Sequence, residues 1–143
     1  MSLKSFFGKL FRKVGEFNPA QMLQWREESY WVDIDSTVFN WELAAIGQLK
    51  TYRVNGELIT AREVLNRLRA KGKKVILFSC RFNKNQPAAQ RLAAMEQALY
   101  LLKKHNVKFD AIWPYDKPWG RGWDDSVFTA DDNGTEAMLN SLK

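Results

Sequence analysis

Two aspartates one residue apart follow an apolar run in the segment YWVDIDSTVFN, residues 30–40. Carboxylates this close repel each other, and removing them from water costs free energy unless a cation or hydrogen-bond donors compensate. Asp33 and Asp35 therefore indicate either a solvated strand end or a site that holds positive charge. Carboxylate oxygens suit Mg²⁺, which keeps several waters and often binds phosphate as well. A carboxylate can also attack phosphorus and form an aspartyl-phosphate.

Three further polar segments each follow an apolar run. Ser79 and Arg81 come after residues 75–78, Lys117 stands in the segment YDKPWG, and Asp131 and Asp132 follow residues 127–130. A serine hydroxyl and a lysine ammonium are suited to hold phosphoryl oxygens, because phosphoryl transfer depends mainly on positioning and charge stabilisation. In open α/β sheets, ligands bind at the carboxyl ends of the strands. Four such segments at one edge therefore predict a site for phosphoryl chemistry.

The elements that must position these residues alternate along the chain. Strands are predicted at residues 30–34, 75–78, 109–113 and 127–130. Helices are predicted from a capping box at Thr60 to a stop at Gly72, from Pro87 onwards, and after a cap at Thr135. Strands that alternate with helices indicate a mostly parallel sheet with right-handed crossovers. We therefore predict an α/β fold, a three-layer Rossmann-like sheet with helices on both faces and little or no cap.

Composition fits a single globular domain. The chain has 143 residues, of which 45% are hydrophobic and 27% charged, with a formal net charge of +6. This charge favours anionic partners such as phosphates, nucleic acid or acidic lipid headgroups. The single cysteine, Cys80, excludes an internal disulfide framework and fits a reducing, cytoplasmic compartment. No apolar stretch of the sequence is long enough to span a bilayer.

The polar segments together resemble the four ordered motifs of the haloacid dehalogenase superfamily. The motifs are Asp33-Ile-Asp35-Ser-Thr37, Ser79, Lys117-Pro118 and Asp131-Asp132. Residues 102–120 are also similar to the small capless phosphatases of that superfamily, which include proteins associated with capsular polysaccharide synthesis. The resemblance extends from Tyr30 to the last residue. It departs from the family pattern at Ser36, where the family more often has glycine.

The resemblance implies a Mg²⁺-dependent phosphomonoester hydrolase that works through an aspartyl-phosphate. Asp33 would be the nucleophile, Asp35 the general acid/base, and Lys117 would neutralise the phosphoryl intermediate. Mg²⁺ would be held by Asp33, Asp131 and Asp132, with the backbone carbonyl of Asp35 as a further ligand. We expect a phosphorylated small molecule as substrate.

The predicted binding residues surround these catalytic groups. The resemblance implies that Ser79 binds phosphate and that Thr37 supports the loop after the first strand. Arg81, close behind Ser79, is also predicted to bind substrate. Trp119, with its neighbours Arg121 and Trp123, either stacks on a base or sugar or covers the edge of the sheet.

Other conspicuous residues have simpler interpretations. Asp124 and Asp125 precede the last predicted strand and are interpreted as solvated turn residues towards its opposite end. His105, the sole histidine, lies near a predicted helix C-terminus and is interpreted as structural. Cys80 is interpreted as a small packing residue. Residues 38–59 are too few for a full cap domain and predict a flap or hairpin that turns at 54–57.

We predict that residues 1–26 are a separate arm and that residues 27–143 are a domain that resembles the haloacid dehalogenase superfamily. Large apolar residues between positions 3 and 17 share one face of a predicted helix: Leu3, Phe6, Phe7, Leu10, Phe11, Val14 and Phe17. Lysines and arginines lie around that face. Such a basic amphipathic helix suits an anionic membrane surface or a protein partner. The alternative is that the apolar face packs on the protein's own body or on a second subunit.

Two functional alternatives remain beside hydrolysis of a small phosphomonoester. A phosphatase that acts on nucleic-acid ends is favoured by the net charge and by the tryptophans that follow Lys117. A catalytically silent member that works as an adaptor through residues 3–17 is left open by Ser36. The sequence does not decide between these functions or fix the oligomeric state.

Overall fold

The computed structural model describes residues 28–82, 85–113, 122–124 and 128–142. Its strands are β1 (Ser29–Asp33), β2 (Thr51–Val54), β3 (Glu57–Thr60), β4 (Lys74–Phe78), β5 (Ala111–Ile112), β6 (Gly122–Asp124) and β7 (Phe128–Thr129). The α-helices of the described ranges are α1 (Ala61–Ala70), α2 (Ala88–Lys104) and α3 (Asp132–Asn140). Short 3₁₀ turns span Leu43–Ala45 and Cys80–Phe82.

The main sheet has five strands in the order β5-β4-β1-β6-β7. In this order β1 lies at the centre, with β4 on one side and β6 on the other. Every neighbouring pair of strands in the sheet is parallel. The remaining two strands, β2 and β3, form a separate antiparallel hairpin. The structure thus confirms an α/β fold with a parallel sheet, compatible with the coarse Rossmann-like class.

The two faces of the sheet carry different cores. Tyr30, Val32 and Val75 belong to a large buried cluster that also takes the buried apolar residues of α1, α2 and α3. Trp31 and Ile76 point the other way and form a smaller buried cluster. That cluster is completed by Phe78, Ala111 and the partly buried Trp113. Within the described ranges, no helical residue contributes to the smaller cluster.

Helix α1 begins and ends as local signals predict. The Thr60 hydroxyl accepts a hydrogen bond of 3.2 Å from the Glu63 backbone N–H, as an N-cap does. The Glu63 carboxylate accepts a hydrogen bond from Arg67 one turn later. Gly72, at φ +78°, follows the helix in the left-handed conformation that stops it. The first half of the capping box and the stop are therefore confirmed.

Helix α2 buries both large and small apolar residues. Met95 and Leu102 are buried, and Ala94 and Ala98 also pack into the core. Ala88, in the first turn, is exposed. The helix is preceded by Pro87 and therefore begins where it was predicted to begin.

Helix α3 begins earlier than predicted. Asp131 is its N-cap, since the carboxylate accepts a hydrogen bond of 2.6 Å from the Gly134 N–H. The prediction that Thr135 caps this helix is wrong. Thr135 is buried, and its hydroxyl accepts a hydrogen bond of 2.9 Å from the indole N–H of Trp123.

Strand β6 was not predicted from the sequence. It pairs with β1, and its last residue, Asp124, stands opposite Thr129 of β7. The interpretation that Asp124 lies towards the opposite end of that strand is therefore wrong. Of the two alternatives for Trp123, the structure supports cover of the sheet, because the side chain is fully buried in the core.

Several predictions fall outside the described residues. These are the N-terminal helix at 3–17, Lys117, Trp119, Arg121 and Asp125. Among the helices that the structure describes, none has the length and apolar character to cross a membrane.

The β2–β3 hairpin docks on α3 through its turn. Asn55 and Gly56 both have positive φ, at 51° and 82°, so the predicted turn at 54–57 is confirmed. The Asn55 and Asn140 side-chain amides exchange two hydrogen bonds, of 3.0 and 3.1 Å. The Asn55 backbone N–H donates to the Glu136 carboxylate.

The paired amides at this turn predict a graded loss of stability. Asn140→Ala removes only the amide pair, and we expect a loss of about 1 kcal/mol in the free energy of unfolding. Asn55→Ala also places alanine in the left-handed region and should cost roughly 1 kcal/mol more. Asn55→Gly, the matched control, should cost no more than Asn140→Ala. Urea unfolding measures all three, and equal losses for Asn55→Ala and Asn55→Gly would contradict the assigned strain.

Candidate active site

A tight loop follows the central strand and presents the two aspartates. The ladder with β4 continues one residue beyond β1, since Ile34 donates to the Phe78 carbonyl at 2.9 Å. The chain then folds back, because the N–H groups of Val38 and Phe39 both donate to the Ile34 carbonyl, at 3.0 and 3.1 Å. Asp33 ends the strand and Asp35 lies in this loop. Both thus lie at the carboxyl end of the central strand, as predicted.

Ser36 occupies the position where the resembled family more often has glycine. Its φ is +63°, in the left-handed region where residues with a Cβ pay about 1–2 kcal/mol. Its N–H donates to the Phe39 carbonyl at 2.8 Å, and its carbonyl accepts from the Lys50 ammonium at 2.9 Å. The departure from the family pattern therefore falls on a residue whose backbone conformation favours glycine, and hydrogen bonds hold it there.

The β2–β3 hairpin supports the loop that carries Asp35. Thr37 is buried, and its carbonyl accepts a hydrogen bond of 2.7 Å from the buried Tyr52 hydroxyl. The Tyr52 ring packs against the Trp123 ring at a centroid distance of 5.0 Å. The predicted flap at 38–59 thus includes a hairpin that braces the aspartate loop against the core.

The Asp35 carboxylate is surrounded by donors from the loop after β4. Ser79 donates its hydroxyl hydrogen to Oδ2 at 2.7 Å. Arg81 forms a two-pronged ion pair, with Nε 2.8 Å from Oδ2 and Nη2 2.9 Å from Oδ1. The Arg81 backbone N–H in turn donates to the Ser79 hydroxyl at 3.2 Å. The structure therefore brings Asp35, Ser79 and Arg81 together by direct hydrogen bonds.

Arg81 is itself held by two residues that sequence reasoning missed. Its Nη1 donates to the Gln97 side chain on α2 at 2.7 Å. Its guanidinium lies over the Trp41 ring, 4.4 Å from the centroid. Neither contact has a local signal in the sequence, because each joins residues that are far apart along the chain.

The second predicted acidic pair lies farther along the same edge. Asp131 follows β7, which β6 separates from β1. One oxygen of Asp131 caps α3, and one oxygen of Asp132 accepts from the Arg53 backbone N–H at 3.0 Å. Within the described residues, no three side chains of histidine, cysteine, aspartate or glutamate come close enough together to hold a metal ion.

The donor chemistry at this edge nevertheless suits Mg²⁺. The ion prefers oxygen ligands and commonly takes only one or two of them from carboxylates, with water and phosphate as the others. The carboxylates of Asp33 and Asp131 and the backbone carbonyl of Asp35 have oxygen atoms of this type. The described residues thus offer suitable oxygen atoms but no assembled cage of three carboxylates.

His105 has the structural role predicted for it. Its Nε2 lies 2.8 Å from the carbonyl oxygen of Gly47, which only accepts, so this nitrogen carries the hydrogen. The ring also packs against Phe39, with centroids 5.4 Å apart. His105 therefore ties the segment after Trp41 to the end of α2.

The pKa of the Cys80 thiol depends on the charged groups of the site. Partial burial of the thiol raises its pKa above the ordinary value, and the negative charges of Asp33 and Asp35 raise it further. The nearby Arg81 lowers the pKa and offsets part of this effect. Cys80 as a whole residue is nevertheless exposed, so the interpretation of Cys80 as a small packing residue is wrong. It is the only cysteine of the chain. Alkylation therefore probes one position beside both aspartates.

The raised pKa predicts slow alkylation of Cys80 that speeds up when the aspartates are neutralised. Only the thiolate reacts, so a raised pKa lowers the rate at pH 8–9. Asp33→Asn removes one negative charge, and we expect the midpoint of the rate against pH to fall. Mass spectrometry of iodoacetamide-treated protein measures the rate, with Glu57→Gln as a control. A midpoint that is unchanged in Asp33→Asn would contradict the assigned electrostatics.

Comparisons of the chain with models of protein families, with curated proteins and with solved structures found no match. The likeness to the haloacid dehalogenase superfamily accordingly stays a prediction from its motifs.

Proposed function

We propose that this chain is a Mg²⁺-dependent phosphomonoester hydrolase of the haloacid dehalogenase type that works through an aspartyl-phosphate. The observation that carries the proposal is the hydrogen-bonded contact between two predicted motifs. Ser79, after β4, donates to Asp35, two residues beyond the end of the central strand. Ligands of parallel sheets bind at the strand ends. Asp35 is a group suited to general acid/base catalysis, and Ser79 is suited to donate a hydrogen bond to phosphate.

The chemistry divides between the two aspartates. An oxygen of Asp33 forms a bond to phosphorus while the ester P–O bond breaks. The leaving alkoxide takes a proton from Asp35, which would carry that proton on Oδ1, the oxygen that accepts only one hydrogen bond from the described residues. Asp35, deprotonated by that step, then accepts a proton from the water that attacks the aspartyl-phosphate and releases inorganic phosphate. Ser79 donates its one hydroxyl hydrogen to Asp35 in the described structure and would turn that hydrogen to a phosphoryl oxygen when substrate binds. Lys117, outside the described residues, is proposed to neutralise charge on the phosphoryl group.

Mg²⁺ is part of the proposal through its ligands. Asp33, Asp131 and Asp132, with the Asp35 carbonyl, are the residues proposed to hold it. Asp131 and Asp132 each have a second oxygen beyond the one that caps α3 or accepts from the Arg53 backbone N–H. When bound, the ion would neutralise negative charge on the phosphoryl oxygens.

The three-layer arrangement belongs to the same proposal. The second face of the sheet carries Trp31, Ile76 and Phe78, none of which is more than 7% exposed. Large apolar side chains on a sheet face remain buried only under a covering layer. A helical layer on that face is the arrangement we propose.

The adaptor alternative has one observation in its favour. The carboxylates of Asp35, Asp131 and Asp132 all accept hydrogen bonds from the protein itself. A silent member would keep such contacts permanently. In this alternative, residues 3–17 would carry the binding function. The alternative of nucleic-acid ends loses one of its tryptophans, because Trp123 is buried.

Substitution of each aspartate tests the proposed function. Asp33→Asn should abolish Mg²⁺-dependent hydrolysis, because an amide is not a competent nucleophile. Asp35→Asn should lower kcat by about 10²–10⁴-fold, the usual contribution of general acid–base catalysis. Both variants are assayed on a panel of phosphomonoesters with Mg²⁺ and with a chelator, with Glu57→Gln as the control.

Two outcomes of that assay would contradict the proposal. A wild-type protein without activity on any phosphomonoester or oligonucleotide end would favour the adaptor. Equal residual activity in Asp33→Asn and Asp35→Asn would contradict the separate roles.

Cys80 offers a test of the metal that does not depend on turnover. Mg²⁺ held by Asp33 should lower the pKa of the nearby thiol, so millimolar Mg²⁺ should speed its alkylation at pH 8–9. Asp131→Asn, which keeps an N-cap residue, should weaken this response. Asp124→Asn, at the end of β6, is the matched control. If Asp124→Asn abolishes the effect of Mg²⁺ on the alkylation rate and Asp131→Asn does not, the proposed role of Asp131 as a metal ligand is contradicted and the pair Asp124 and Asp125 is favoured.

A further inference from the structure

Every nitrogen of the Arg81 guanidinium is already used by the protein. Nε and Nη2 take the two oxygens of Asp35, and Nη1 takes the side chain of Gln97. The Arg81 side chain is 22% exposed and that of Asp35 14%, so the pair is partly shielded from water. Three of the five guanidinium N–H donors are therefore taken, including the whole Nε–Nη2 edge that could hold two phosphoryl oxygens side by side. One N–H on each Nη remains, and the substrate test below decides whether it contacts the phosphoryl group.

The contacts around Arg81 fix its plane as well as its position. Trp41 stacks on the guanidinium from the loop between β1 and β2, at 4.4 Å. Gln97 reaches it from α2. No hydrogen bond or ring contact of Trp41 or Gln97 with Asp35 is among those described, so both residues act on the carboxylate through Arg81. Two segments, the connection between β1 and β2 and helix α2, thus determine where the guanidinium lies.

The orientation of Arg81 determines the orientation of Asp35. A two-pronged guanidinium–carboxylate pair is planar, so it fixes both the direction and the rotation of the carboxylate. A general acid is effective only when its proton lies within hydrogen-bond reach of the leaving oxygen. We propose that Arg81 is a positioning residue for Asp35 and not a ligand of the phosphoryl group. This inference rests on the proposed function, and it revises the predicted substrate-binding role of Arg81.

The choice of leaving group separates the two roles. An alkoxide leaving group needs a proton from the general acid, whereas 4-nitrophenolate leaves readily without one. A residue that positions the acid therefore matters for alkyl phosphates and little for 4-nitrophenyl phosphate. A phosphoryl ligand matters equally for both, because both substrates carry the same phosphoryl group.

The experiment compares kcat/KM of the wild type and Arg81→Lys on an alkyl phosphomonoester and on 4-nitrophenyl phosphate. Lysine keeps the charge but lacks the fork. We expect a loss of about 10–10²-fold on the alkyl ester, a part of the whole contribution of the acid, and less than about threefold on the nitrophenyl ester. Inhibition by inorganic phosphate should be unchanged. In an Asp35→Asn background, Arg81→Lys should cause no further loss on the alkyl ester, because the two residues act as a unit.

Variants at the supporting residues keep the inference testable if Arg81→Lys does not fold. Gln97 is exposed on α2, so Gln97→Leu should fold normally. Gln97→Leu should lower kcat/KM on the alkyl ester more than on the nitrophenyl ester, as Arg81→Lys does, but by a smaller factor. Trp41→Phe should show the same pattern. Equal losses on both esters, with weaker inhibition by inorganic phosphate, would overturn the positioning role and restore Arg81 as a phosphoryl ligand. Absence of wild-type activity on both esters would overturn the proposed function and the inference together.

Discussion

The geometry of this site depends on the placement of one carboxylate out of bulk water. Asp35 stands in a tight loop at the end of a central strand, where its negative charge needs close donors to remain partly shielded. Ser79 and Arg81 provide them, and Arg81 in turn requires partners for the rest of its fork. Removal of one partner from such a pair leaves the other charge uncompensated, which costs more than the net worth of the pair. The need to compensate the charge of Asp35 therefore involves residues from several elements of the fold.

These elements do not lie next to each other in the sequence. β1 supplies Asp35 through its loop, the segment after β4 supplies Ser79 and Arg81, and α2 supplies Gln97. The parallel pairing of β1 with β4 brings the first two segments to the same level. The hairpin contributes in a different way. It bonds the loop carbonyl at Thr37 through Tyr52 and docks its turn on α3. The aspartate loop is thus supported by the core on one side and by the ion pair on the other.

The features that sequence reasoning found have local signals. The Thr60 cap, the Gly72 stop and the turn at 54–57 each depend on a few adjacent residues. The meeting of the aspartate loop with Ser79 follows from one topological rule, since parallel strands end at the same edge. The ion pair between Arg81 and Asp35 was not predicted, because the sequence analysis assigned Arg81 to substrate binding.

The features that sequence reasoning missed have no such signal. β6 is three residues long, which is too short for a recognisable period. The stack of Trp41 on Arg81 depends on how a loop of variable shape returns to the sheet. Asp131 shows another limit, because a carboxylate before a helix fits a cap and a metal ligand equally well, and only its bonded partner, the Gly134 N–H, identifies the cap.

The segment between β1 and β2 is fastened at two points with an open stretch between them. Trp41 stacks on Arg81 at one end, and the Gly47 carbonyl bonds His105 at the other. Between these points, Leu43 is 91% exposed and Ile46 is 45% exposed. Residues there can diverge during evolution without disturbing the ion pair. New surface chemistry can therefore arise beside the Asp35–Arg81 ion pair without altering it, as in the interchangeable loops that rigid scaffolds carry.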